Sequence, residues 1–313
     1  MSLNRRSALG LAAVAVATAL TLTACSNSSS LAGSSGAPSS SGKAGDKTLI
    51  IGSTPYPETQ ALAQIYGQVL AKNGYTVTYK MNVGQRAVLI PALEKGEVNF
   101  TPEYLGSLAN FLGNTKALPD AAAGKTVLDG ELKAKSLTAL TPAEATDADA
   151  LQVTKAFATK YGLTSYGDLA KAGSVTLAAN QEFSTRPDGL KALKSIYGLK
   201  NIKFKAIQDG GGPATVKALT SNTVQVADIY TTSPLIAQNN LVTLKDDKGQ
   251  FGPQNIVPVL TSSKVSSSLT ALVDKVSAAL TQEELVKIDD QVFTKKVDPA
   301  AEATAWITGK GLG

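Results

Sequence analysis

The feature that most constrains this 313-residue chain is an internal repeat. A shift of about 126 residues carries Gly84 onto Gly210, Ala92-Leu93 onto Ala218-Leu219, Val98 onto Val224, Tyr104 onto Tyr230 and Ser107 onto Ser233. Apolar residues pair easily by chance. A tyrosine and a serine held in the same ungapped register make the match specific. Each copy alternates strands with helices. In the first, strands are expected at 47–52, 75–81 and 98–101, with helices over 58–72 and 84–95; the loops at 53–57 and 102–107 carry Tyr56 and Tyr104. In the second, strands are expected at 174–179, 203–207 and 224–229. One helix follows the caps Ser184 and Thr185 and the first-turn Pro187, and another follows Gly210, Gly211 and Gly212. Such alternation implies an α/β fold of two similar lobes with mostly parallel sheets.

Two further stretches, 137–149 and 255–261, read as extended. As two passes between the lobes they would form a two-segment hinge near Thr141 and Val257. The tail from Val265 is helical at 269–280, 283–293 and 300–308 and is expected to pack on the first lobe, with Trp306 as an anchor. The expected division is lobe 1 at 47–140 plus 259–313 and lobe 2 at 141–258, with a cleft between them.

The first 24 residues read as a secretion signal: Arg5 and Arg6 precede a short apolar core, 8–22, too short to span a bilayer with these flanks. Leu22-Thr23-Ala24-Cys25 resembles the bacterial lipobox, which predicts that Cys25 becomes a lipidated first residue. Residues 25–46, rich in Ser and Gly, then read as a flexible tether. This places the chain outside the cytoplasm, lipid-anchored to the outer face of a bacterial cell membrane.

Cys25 is the sole cysteine and histidine is absent. A disulfide, a Ser–His or Cys–His nucleophile and a His/Cys metal site are all excluded. No metal, cofactor or catalytic residue is expected, although carboxylate or lysine chemistry stays open. The net charge of +5 is scattered and gives no reason to expect nucleic-acid binding.

Ligands in open α/β sheets bind beyond the carboxyl ends of the strands. Arg186 falls there, between the strand at 174–179 and the helix that follows. It reads either as a seat for a ligand carboxylate or as an internal partner of Asp188 or Glu182. Tyr104 and Tyr230 stand at matched strand ends and read either as core or as facing walls for a cation, worth roughly 0.5–2 kcal/mol each. The three glycines read either as an anion cradle or as a turn before a helix.

The runs EFSTRPDGLKALKSIYGL and VQVADIYTTSPLIAQNNLVTLKDDKGQFGPQNIVPVL, with IGSTPYPETQ and TPEYLGS, resemble the osmoprotectant-binding proteins of ABC importers, which bind glycine betaine, choline, carnitine or proline betaine. The resemblance covers nearly all of residues 47–313. It implies a type II periplasmic-binding-protein fold, a monomer that closes on a small-molecule ligand without catalysis, and a permease as partner. It also implies a ligand cage: Tyr104 and Tyr230 match cage tyrosines, Arg186 matches the carboxylate arginine, and Ser107 stands where a threonine is usual. Tyr56 lies in the matching first-lobe loop. Asp149 and Gln254 replace two cage tyrosines, Asp147 fits an acidic position, and Thr54 stands where a lysine is common. With Asp149 and Gln254 in the cage, a ligand carrying N–H or O–H donors is expected to bind better than glycine betaine. An extracytoplasmic carboxylate-based enzyme or a ligand sensor on the same fold are the alternatives.

Overall fold

In a computed structural model the described residues are 47–116 and 118–313. The expected secretion signal, Cys25 and the expected tether lie outside them. Ten strands form two five-stranded sheets: β1 Thr48–Gly52, β2 Thr76–Lys80, β3 Phe100–Tyr104, β4 Leu137–Ala139, β5 Leu151–Thr154, β6 Val175–Ala179, β7 Ile202–Ala206, β8 Val226–Asp228, β9 Leu241–Thr243 and β10 Ile256–Thr261. The sheet orders are β2-β1-β3-β10-β4 and β7-β6-β8-β5-β9. The two orders superimpose element for element, so the sequence repeat is also a topological one.

In each sheet four strands run the same way, three of them paired in parallel. The remaining strand, which lies beside β3 or β8, runs antiparallel and belongs to a stretch that crosses between lobes. β10 pairs with β3 from Ile256 opposite Tyr104 to Leu260 opposite Phe100. Val257 therefore lies inside the first sheet. The crossing sits earlier than the expected 258/259 boundary, where Thr146 and Asn255 form an isolated antiparallel bridge. Thr141 likewise belongs to the first lobe's side, since Leu140 N–H bonds Pro258 O and Ala143 N–H bonds Ile256 O.

Strands such as β3 and β10 are buried almost throughout, because both faces of the sheet are covered, and successive side chains enter different cores. In β1, Leu49 and Ile51 enter one core while Ile50 packs on another. The helix Pro57–Lys72 contributes Leu62, Ile65, Tyr66, Val69 and Leu70 to the first of these. The tail helices Ser267–Ala279, Gln282–Asp289 and Pro299–Lys310 cover the same core with Leu269, Leu285 and Trp306. Trp306 is buried and donates its indole N–H to Glu284 at 2.9 Å.

Two local expectations differ. Residues 102–104 are strand rather than loop, and the helix Leu105–Phe111 starts directly after Tyr104. Ser184 and Thr185 do not cap a helix. Their hydroxyls donate back to the carbonyls of Gln181 and Glu182 at 2.7 and 3.1 Å, so Asn180 caps a short 3-10 turn, Gln181–Ser184, instead. The next helix begins only at Leu190.

Candidate ligand-binding site

The carboxyl ends of β1, β3, β6 and β8 open onto one cleft. The loop after β1 brings Thr54 and Tyr56, and β3 ends in Glu103 and Tyr104, with Ser107 one turn on. The loop after β6 brings Glu182 and Arg186, and the loop after β8 brings Tyr230. Asp147 and Asp149 enter from the crossing that leads into β5. Eight of the nine candidate ligand residues read from the sequence thus line this cleft. Gln254 does not. It is buried, accepts from Ser107 N–H at 3.3 Å and donates to Phe251 O at 2.5 Å, so its amide closes the backbone behind the wall.

Tyr56 and Tyr230, from opposite lobes, pack edge to face with ring centroids 6.0 Å apart. Gln85 holds the Tyr56 hydroxyl at 2.9 Å, and Asn180 reaches the Tyr230 hydroxyl at 3.4 Å. Tyr104 donates its hydroxyl to Glu58. The tyrosine pair across the cleft is therefore Tyr56 and Tyr230, with Tyr104 anchored on a carboxylate.

The electrostatics are mostly acidic. Arg86, missed in the sequence reading, forks onto Glu103 through Nε at 3.1 Å and Nη2 at 2.9 Å. Arg186 contacts Asp149 Oδ2 through Nη2 at 2.6 Å and Asp188 Oδ1 through Nε at 3.0 Å. Burial acts to lower the Arg186 pKa, but Asp149 and Asp188 outweigh it and hold the guanidinium well above its usual value. The internal partner anticipated in Asp188 is present, joined by Asp149. Behind Asp149 lies Asp228, pushed well above the ordinary carboxylate range by burial and by the charge of Asp149.

A second acidic group spans the two lobes. Glu58, in the first turn of Pro57–Lys72, and Asp289, at the end of Gln282–Asp289, meet Asp147 around the hydroxyl of Thr232. All four residues are buried. One hydroxyl carries one proton and cannot donate to three carboxyls at once; Glu58 also takes the Tyr104 hydroxyl and Asp147 the Thr232 N–H. Burial, reinforced by Asp289, pushes Glu58 well up. Burial and Glu58 do the same to Asp147, and burial pushes Asp289 up to about 7. Glu58 and Asp289 carried no signal in the sequence beyond an acid in a helix's first turn and an acid near a helix end.

The three glycines do not form an anion cradle. Asp209 occupies the start of helix Pro213–Thr220, taking Ala214 N–H at 2.7 Å and Thr215 Oγ1 at 2.5 Å. Gly210 and Gly211 have φ of +63° and +76°, a turn conformation that side chains disfavour.

The chain matches the family described as the substrate-binding domain of ABC-type glycine betaine transport systems over residues 47–309. It is 29% identical over 278 residues to the glycine betaine-binding protein YehZ of Escherichia coli, covering 83% of this chain and 90% of that one. It is 31% identical over 229 residues to a glycine-betaine-binding protein of Pseudomonas aeruginosa, covering 70% of this chain and 73% of that one. Among solved structures, apo YehZ from E. coli superposes with a TM-score of 0.62 at 28% identity, covering 85% of this chain and 99% of that one. A protein described as a glycine betaine/carnitine/choline ABC transporter superposes with a TM-score of 0.67 at 23% identity, covering 84% and 99%, a likeness of fold.

Proposed function

The chain belongs to the family of substrate-binding domains of ABC-type glycine betaine transport systems, and from that premise we propose that it is the lipid-anchored receptor of an importer, holding a small ammonium-type organic solute between its lobes and presenting it to a permease. Members of this family are transport binding proteins. The observation that carries the reading is the cleft itself. Tyr56 and Tyr230 supply aromatic surface from the two lobes, and the carboxylate of Asp149 lies on the same cleft. An ammonium group is attracted to ring faces and to carboxylates alike. Cys25 would carry the lipid, and the segment after it would let the domain reach a membrane partner.

The receptor reading also implies binding without turnover. Titration of a panel of small ammonium solutes, followed by tyrosine fluorescence, should show saturable binding with every ligand recovered chemically unchanged. A panel that gives no saturable signal, or a ligand that is consumed, would overturn the reading.

A further inference from the structure

Arg186 is the side chain most suited to grip a ligand carboxylate, yet two of its three nitrogens already face resident carboxylates. Its guanidinium lies over the rings of Phe183 and Phe251, at 5.0 and 5.7 Å, and these rings pack on each other with centroids 6.3 Å apart. Nη2 faces Asp149 and Nε faces Asp188. The two carboxylates are not equivalent. Asp149 lines the ligand cleft, whereas Asp188 faces a separate groove and is also contacted by Asn110 at 3.4 Å. Asp149 thus shares the cleft wall with Arg186 and holds the cleft side of its ion pairs. The other basic side chain lining the cleft among the described residues, Arg86, is spent on Glu103.

We propose that Asp149 is a resident carboxylate that fills on Arg186 the seat a ligand carboxylate would take, and that it makes the cleft select organic cations lacking a carboxylate over their zwitterionic counterparts. The proposal rests on the receptor reading above and narrows its ligand class. A ligand carboxylate entering here meets Asp149 at close range with no free cation to offset it, and juxtaposed like charges are strongly disfavoured. A cation meets a carboxylate whose own charge is only partly compensated, because two anions share one guanidinium.

The test uses matched pairs that differ in the carboxylate: choline against glycine betaine, and ethanolamine against glycine. The methylated and unmethylated pairs together separate this effect from any demand for N–H donors. Calorimetry on the native chain should show the cation of at least one pair bound at least about tenfold more tightly than its partner. Asp149→Asn keeps the shape of the side chain and leaves Arg186 paired with Asp188, so the fold should persist. It should improve zwitterion binding and shrink that ratio by about tenfold. Asp188→Asn also removes a buried partner of Arg186, but from the side away from the cleft, and should leave the ratio unchanged. Native binding of either zwitterion equal to or tighter than its cation overturns the proposal. So does an unchanged ratio in Asp149→Asn, or a change of equal size in Asp188→Asn. If the native chain binds none of the four, failure of Asp149→Asn to gain glycine betaine binding overturns it as well. The receptor reading falls only if no solute of the wider panel binds, so the two failures are distinguishable.

Discussion

Thr232 Oγ1 lies 2.9 Å from Asp147 Oδ1, and the same hydroxyl touches Asp289 on the opposite lobe. With Glu58 alongside, this contact ties the return from β8 to two helices of the first lobe through buried carboxyls whose pKa values burial raises.

The tie should weaken as pH rises. Asp289 has a folded pKa of about 7 against an ordinary 3.8, raised mainly by burial. A raised carboxyl stabilises the fold fully below the unfolded value and loses that contribution as pH climbs through the folded one. Stability, read as the melting temperature, should therefore fall between about pH 4 and pH 7, by a few kcal/mol at most. Asp289→Asn, which cannot ionise, should flatten the profile. A native melting temperature that rises over this window would contradict the assignment.

The aromatic wall should be separable from the charges. Tyr230→Ala removes one ring of the cross-cleft pair. It should weaken binding of the best ammonium probe by roughly threefold to thirtyfold, the equivalent of about 0.5–2 kcal/mol. Calorimetry on the variant, with its melting temperature as control, decides this; undiminished affinity would mean that the ring does not touch the solute.

Gly189 sets the approach of the Arg186 loop to its neighbours. A Cβ there would sit 2.0 Å from Phe183 O, a backbone atom that cannot turn aside. Gly189→Ala should destabilise the second lobe by about 1–3 kcal/mol and displace Arg186. Denaturant melts of the variant should show the loss, and a melt matching the native one would mean that the loop relaxes freely.

Ligand binding should draw the lobes together about the crossings joined by Thr146 and Asn255. A ligand that touches both walls binds the closed state better and shifts the population toward it. Solution scattering with a saturating ammonium probe should show a smaller radius of gyration. An unchanged radius under confirmed saturation would rule out closure.

Cys25→Ser should abolish membrane retention, because only a thiol can carry the thioether of a lipoprotein. Cell fractionation reads this directly: a variant retained at the native level would exclude Cys25 as the lipid attachment point.

The sequence by itself determined the architecture. A repeated order of strands and helices gave two sheets of one topology, because local periodicity and turn residues specify elements and the shared register specifies their order. It also placed Tyr56, Tyr104, Arg186 and Tyr230 at strand ends, and strand ends are where such sheets bind ligands. Only the tertiary structure decided what those residues are free to do. Gln254 looked like a cage residue and turned inward, because the backbone of Ser107 and Phe251 needed its amide. Arg186 read either as a carboxylate seat or as internally paired, and it is paired, with Asp149 arriving from a crossing segment that its own stretch does not show. Glu58, Asp147, Asp289 and Thr232 come from four separate stretches, and none is unusual alone. Charge compensation and desolvation depend on which groups are buried together. That is a property of packed elements, and residue spacing does not carry it.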